Sequence, residues 1–201
     1  MIYLPVESFI QVYSLPLIAE VRFQKDYFSE YPQQIRVGSD AYSGLRERSA
    51  VSYNRKPGYY AVHYNQPGTV AEGAILQLNE GAMSTTGCAY AVFSGEPNQS
   101  EKNTLSPIYT LEPDGSLAVP TGLVFIRFAE GVDVELQREA IERAGYKIEQ
   151  SISYAPHAAW LRPQSGKILD AIAGISQLET IPNVENVELQ MLMERVVKRG
   201  F

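Results

Sequence analysis

Cysteine occurs once in the 201 residues, at Cys88. One thiol can neither close an intrachain disulfide nor build a cysteine zinc site. Its setting in the apolar run Gly87-Cys88-Ala89-Tyr90-Ala91-Val92-Phe93 reads as a buried, inert side chain. Histidine is nearly as scarce, with only His63 and His157. A Ser/His/acid mechanism needs a histidine held between a serine and a carboxylate. Neither histidine is accompanied by a Gly-x-Ser-x-Gly elbow, and the chain has no phosphate-binding glycine loop, dinucleotide glycine set or His-Glu-x-x-His run. The carboxylate pairs Glu139/Glu142 and Glu185/Glu188 have the spacing of solvent-facing positions. The expectation is a protein that is not an enzyme, with no catalytic, cofactor-binding or metal-ligating residues.

Positive charge is also in short supply. Lysine and arginine number 17 against 23 acidic residues, for a formal net charge of −6, which excludes a general polyanion binder and leaves no nucleic-acid partner expected. The one basic concentration, Arg195, Lys198 and Arg199, sits at the C-terminal end and reads as a solvated tail. No apolar run approaches the roughly 18 residues of a membrane-spanning helix, so no membrane association is expected. The opening Met1-Ile2-Tyr3-Leu4-Pro5-Val6-Glu7 lacks the basic start of a secretory signal. The chain therefore reads as cytoplasmic, or as extracytoplasmic if it is a piece of a secreted precursor.

What is present is a 45 % hydrophobic sequence long enough for one or two domains, and its texture changes near residue 120. Residues 1–120 hold 11 of the 13 tyrosines and 9 of the 12 prolines. Short β-forming runs at 17–23, 50–54, 59–64, 74–78, 88–93, 107–111 and 116–119 alternate with turn chemistry such as Lys56-Pro57-Gly58 and Glu112-Pro113-Asp114-Gly115. This spacing predicts an all-β domain, a sandwich or barrel, with 27–48 as a long loop packed on it. Tyr53, Tyr59, Tyr60 and Tyr64 read as ordinary strand residues.

Residues 121–201 read differently. Leu123-Val124-Phe125-Ile126-Arg127-Phe128 is strand-like and ends at Ala129-Glu130-Gly131. Leu136, Ala140, Ile141 and Ala144 then fall at helical spacing, with Asp133 placed to cap the helix and Gly145 to end it. The runs 146–152 and 158–162 pair as a hairpin. Ile168, Ala171, Ile172, Ile175 and Leu178 form a second helical stripe, and Val187, Leu189, Met191 and Met193 share one face of a last strand. Strand, helix, strand, strand, helix, strand is the ferredoxin-like order. The predicted fold class is α+β: an all-β domain of unknown role over 1–120, followed by a ferredoxin-like domain over 121–201.

Three stretches of this second part resemble the prodomains of subtilisin-like serine proteases and the small free-standing inhibitors built on the same fold. They are Phe125-Ile126-Arg127-Phe128-Ala129-Glu130-Gly131-Val132, then Ala144-Gly145-Tyr146, then Leu178-Glu179-Thr180-Ile181-Pro182-Asn183-Val184-Glu185-Asn186-Val187-Glu188. The resemblance covers about the last 75 residues and none of the first 120. It implies a non-catalytic protease inhibitor or folding helper whose helix-free sheet face packs on the protease while an extended C-terminal tail enters the substrate cleft by strand addition. The implied contact residues are Glu188 on the sheet and Val197, Lys198, Arg199, Gly200 and Phe201 in the tail, with Phe201 at the cleavage subsite. Lys198 departs from the apolar residue that family members usually carry there, and Gln190 stands where many carry an acid. A second reading makes the chain a small-molecule or partner-binding protein that uses its first 120 residues for the ligand and the rest for homodimerisation.

Overall fold

A β-strand has two edges, yet two strands in this protein each serve three partners. The computed structural model describes residues 26–37, 51–64, 71–79, 89–98 and 104–194. In chain order the elements are β1 (Gln34–Val37), β2 (Val51–Tyr64), β3 (Leu76–Asn79), β4 (Ala89–Ser94), β5 (Thr104–Leu111), β6 (Leu117–Phe128), a 3-10 turn (Val134–Gln137), α1 (Arg138–Arg143), β7 (Tyr146–Ser151), β8 (Ala158–Pro163), α2 (Ile168–Ala173), α3 (Ile175–Glu179) and β9 (Val184–Met193). The strands form one nine-stranded antiparallel sheet in the order β3-β4-β2-β5-β6-β8-β7, with β1 added to β2 and β9 added to β6.

β2 keeps β5 along one edge and pairs its other edge first with β1, over 51–54, and then with β4, over 59–64. β6 likewise keeps β9 along one edge and gives the other to β5 at Leu117 and Ala118, then to β8 over 124–127. Each change of partner coincides with a register shift, between Lys56 and Tyr60 in β2 and between Pro120 and Val124 in β6. The sequence supplies the same chemistry at both places. A proline, Pro57 or Pro120, has no N–H for a ladder, and a following glycine takes positive φ, 75° at Gly58 and 82° at Gly122. Lys56-Pro57-Gly58, read in the sequence as a turn between two strands, is therefore a bulge within one.

The expected pair of domains is overturned by this sheet. The boundary placed between residues 120 and 121 falls inside β6, whose hydrogen bonds run to strands on both sides of it. The molecule is mainly β, and the described residues do not divide into a separate sandwich or barrel and a separate ferredoxin-like domain. One hydrophobic core joins Ile35, Tyr53 and Tyr109 from the first part to Val124, Ile126 and Leu178 from the second. Tyr109 donates its hydroxyl to the Pro32 carbonyl (3.0 Å), and Tyr31 packs at the margin of the same core. The stretch read as a loop over 27–48 contains β1. The expected strand at 17–23 lies outside the described residues, as does Cys88.

The short helices cover one face of β9, β6, β8 and β7. Asp133 caps as its position suggested, accepting the Glu135 N–H at 2.9 Å, and Gly145 ends the segment at φ 86°. The first turn is 3-10 rather than α, and three residues per turn rotate the face. Val134 is consequently buried and Leu136, expected in the core, is 81 % exposed. The second helix breaks at Gly174 into α2 and α3. Ile168, Ala171, Ile172 and Leu178 remain buried on either side of the break, with Ile175 packed at its margin.

The glycine at the break has a steric reason that can be tested. Gly174 has an ordinary φ of −88°, but a Cβ there would press on the Tyr146 hydroxyl and lie 2.8 Å from its Cε2. Tyr146 cannot retreat: it is 2 % exposed, and its hydroxyl donates to the carbonyls of Asp170 (3.0 Å) and Ala171 (3.1 Å). Gly174→Ala is expected to cost about 1–3 kcal/mol, measured as a lower urea midpoint with the slope unchanged.

Candidate functional site

Strand alternation decides what each face of the sheet offers. In β6, Val124, Ile126 and Phe128 point under the helices, so Phe125 and Arg127 point away from them. The same alternation puts Trp160 and Arg162 of β8 on the helix-free face, and Asn186 and Glu188 of β9 beside them. Register then aligns three of these side chains. Phe125 lies opposite Glu188 on one flank and Trp160 on the other, giving a row Glu188–Phe125–Trp160 across three strands.

Phe125 and Trp160 meet edge-to-face, with ring centroids 5.3 Å apart and planes at 61°, a geometry worth about 0.5–1.5 kcal/mol beyond the area buried. Both rings are half-buried. Glu188 accepts a hydrogen bond from Asn186 Nδ2 at 2.9 Å, which fixes the carboxylate beside the rings. Around them Arg127 pairs with Glu185 at 3.5 Å, and Arg162 pairs with Glu149 at 3.4 Å. These ion pairs are partly solvated and contribute little to stability; they set a pattern of alternating charge about an apolar centre.

Of the residues named from the sequence, Glu188 therefore lies on the helix-free face of the last strand. Val197, Lys198, Arg199, Gly200 and Phe201 lie outside the described residues. Gln190 is committed to the fold, since its Oε1 accepts from the Thr121 hydroxyl at 2.7 Å. Phe125 and Trp160 were read only as strand residues. The one available signal was that the sole tryptophan of the chain occupies an alternate position in a short strand.

His63 and Ser106 come together although the sequence separates them. His63 Nε2 lies 2.8 Å from Ser106 Oγ, and the imidazole meets the Tyr90 ring edge-on at 4.8 Å. A base beside a hydroxyl is the start of a nucleophilic site, but Ser106 is 0 % exposed and His63 8 %, so this pair is a core hydrogen bond between β2 and β5. Among the described residues no three His, Cys, Asp or Glu side chains converge as a metal site, and no helix is long and apolar enough to cross a membrane.

Burial lowers the His63 pKa to about 4, with the Arg162 charge acting in the same direction. The folded protein thus favours the neutral ring, and the unfolded chain takes up the proton first. The stabilisation is fully present above about pH 6.5 and is lost as pH falls toward 4. Urea denaturation should show a loss of roughly 2 kcal/mol between pH 7 and pH 5, and His63→Gln should flatten that dependence.

No protein-family model matches the chain, and no curated protein or solved structure does either.

Proposed function

We propose that this chain is a non-catalytic binding protein that docks a protein partner on its helix-free face, and that the partner is a subtilisin-like serine protease, which it inhibits or helps to fold. With the separate C-terminal domain gone, the reading rests on a face and on a direction of chain. The observation that carries it is the row Glu188–Phe125–Trp160. Half-exposed aromatic residues on a sheet face are the residue type that concentrates binding energy. A carboxylate beside them suits the positive end of a helix on the partner. β9, which carries Glu188, is also the last described strand, and the reading gives residues 195–201, which follow it in the sequence, the role of the tail. In an extended conformation they would add as a strand in a substrate cleft, with Phe201 in an apolar subsite.

The test is stoichiometric inhibition by the full chain across a panel of subtilisins. Trp160→Ala and deletion of residues 197–201 are each expected to weaken inhibition by about 30- to 1,000-fold, the equivalent of ~2–4 kcal/mol, without loss of the cooperative unfolding transition. Absence of inhibition by micromolar intact protein throughout the panel would overturn the assignment of the partner. Equal inhibition by the intact chain and both variants would overturn the role of the face and tail.

A further inference from the structure

The two places where a long strand changes partners are not finished in the same way. At Gly122 of β6 the space is closed by α2, since a Cβ on that glycine would sit 3.2 Å from Ile168 Cγ1, and the Thr121 hydroxyl holds the bulge from the other side through Gln190 and the Leu123 N–H. At Gly58 of β2 nothing comparable among the described residues fills the gap. β1 pairing stops at Asn54 and β4 pairing begins at Tyr59. The edge between them opens into a cleft of about 190 Å³.

The walls of this cleft are apolar and stiff. Pro57, Pro97 and Pro107 line it together with Phe28 and Tyr59, and Pro97 and Pro107 are themselves buried. The far wall is tied to β2 by an ion pair whose Arg55 end is buried and whose Asp26 end is exposed. The Arg55 side chain, 6 % exposed, binds both carboxylate oxygens of Asp26, at 3.2 and 2.5 Å, and also donates to the Phe28 carbonyl. Asp26 also accepts the Phe28 N–H at 3.0 Å. On the other side the Gly95 N–H donates to the Gly58 carbonyl at 2.8 Å. The opening is thus held apart by hydrogen bonds at both ends.

Charge decides what fits. Arg55 and Asp26 neutralise one another, which leaves Lys56 and Glu96 as the remaining charged side chains of the lining. Glu96 is exposed at the rim, where water screens it. Lys56 is half-buried, and its Nζ lies 4.9 Å from the centroid of the Tyr59 ring. An ammonium held against a ring in an apolar recess attracts an anion more strongly than one in open solvent. We infer that this gap in the sheet binds a small monocyclic aromatic carboxylate, its ring between the proline and aromatic walls and its carboxylate on Lys56. The volume is below that of sites for drug-sized ligands, which limits the occupant to about one ring.

Benzoate is the probe, and saturation-transfer NMR on the intact chain, followed by titration, is the measurement. Saturable benzoate binding is expected, weakening as ionic strength rises. Lys56→Met and Lys56→Gln should each reduce affinity by about tenfold or more, and Tyr59→Leu should reduce it as well, with unfolding transitions showing that the variants remain folded. Benzylammonium should bind more weakly than benzoate. No saturable benzoate binding, undiminished binding by both Lys56 variants, or tighter binding of benzylammonium would each overturn the inference, the last by showing that Glu96 is the charge that recognises the ligand. Protease inhibition is measured separately, so either proposal can fail alone.

Discussion

Everything in this fold depends on the limit that a strand can hydrogen-bond along two edges only. A nine-stranded sheet that buries one apolar cluster around Val124 and Ile126 and another around Val92 and Ile108 meets that limit by making β2 and β6 long and letting each exchange one neighbour for another partway along. The exchange requires a place where the ladder is interrupted without an orphaned N–H, and proline followed by a left-handed glycine provides it. The helices are secondary to this arrangement. They are one or two turns long, too short to persist alone, and they are held by the side chains that they bury against β6, β7, β8 and β9.

The parts legible in the sequence were those fixed by local periodicity. The alternation in 123–128 and the stripe of Ile168, Ala171 and Ile172 could be assigned from spacing, as could the Asp133 cap and the Gly145 stop. What could not be assigned was set by distant partners. Nothing local distinguishes Lys56-Pro57-Gly58 in a turn from the same tripeptide in a bulge; the difference is that β5 lies alongside and keeps 51–56 and 59–64 in one strand. The same holds at Pro120, where a change in composition looked like a domain boundary and β9 bridges it. Leu136 was misplaced for a geometric reason, because the helical wheel assumed 3.6 residues per turn where the chain takes three.

The candidate sites divide along similar lines. Glu188 could be placed on a sheet face by alternation alone, but its alignment with Phe125 and Trp160 depends on two registers that no single strand encodes. The cleft is less legible still. Arg55 and Asp26 are 29 residues apart, and each in isolation is an ordinary charged residue near a turn. Only the ion pair makes them the frame of a wall.

The continuity of β6 also bears on how such a chain can change by recombination. Its halves are not modules. A duplication, fusion or exchange with a breakpoint anywhere in Leu117–Phe128 would separate residues that close one part of the sheet from residues that close the other, leaving two unpaired edges in place of one shared strand. Breakpoints that the sheet tolerates lie in its connections, such as the hairpin turn between β7 and β8, where Tyr154 is exposed. Insertions gained there would extend the end of the sheet without disturbing the strand that both halves share.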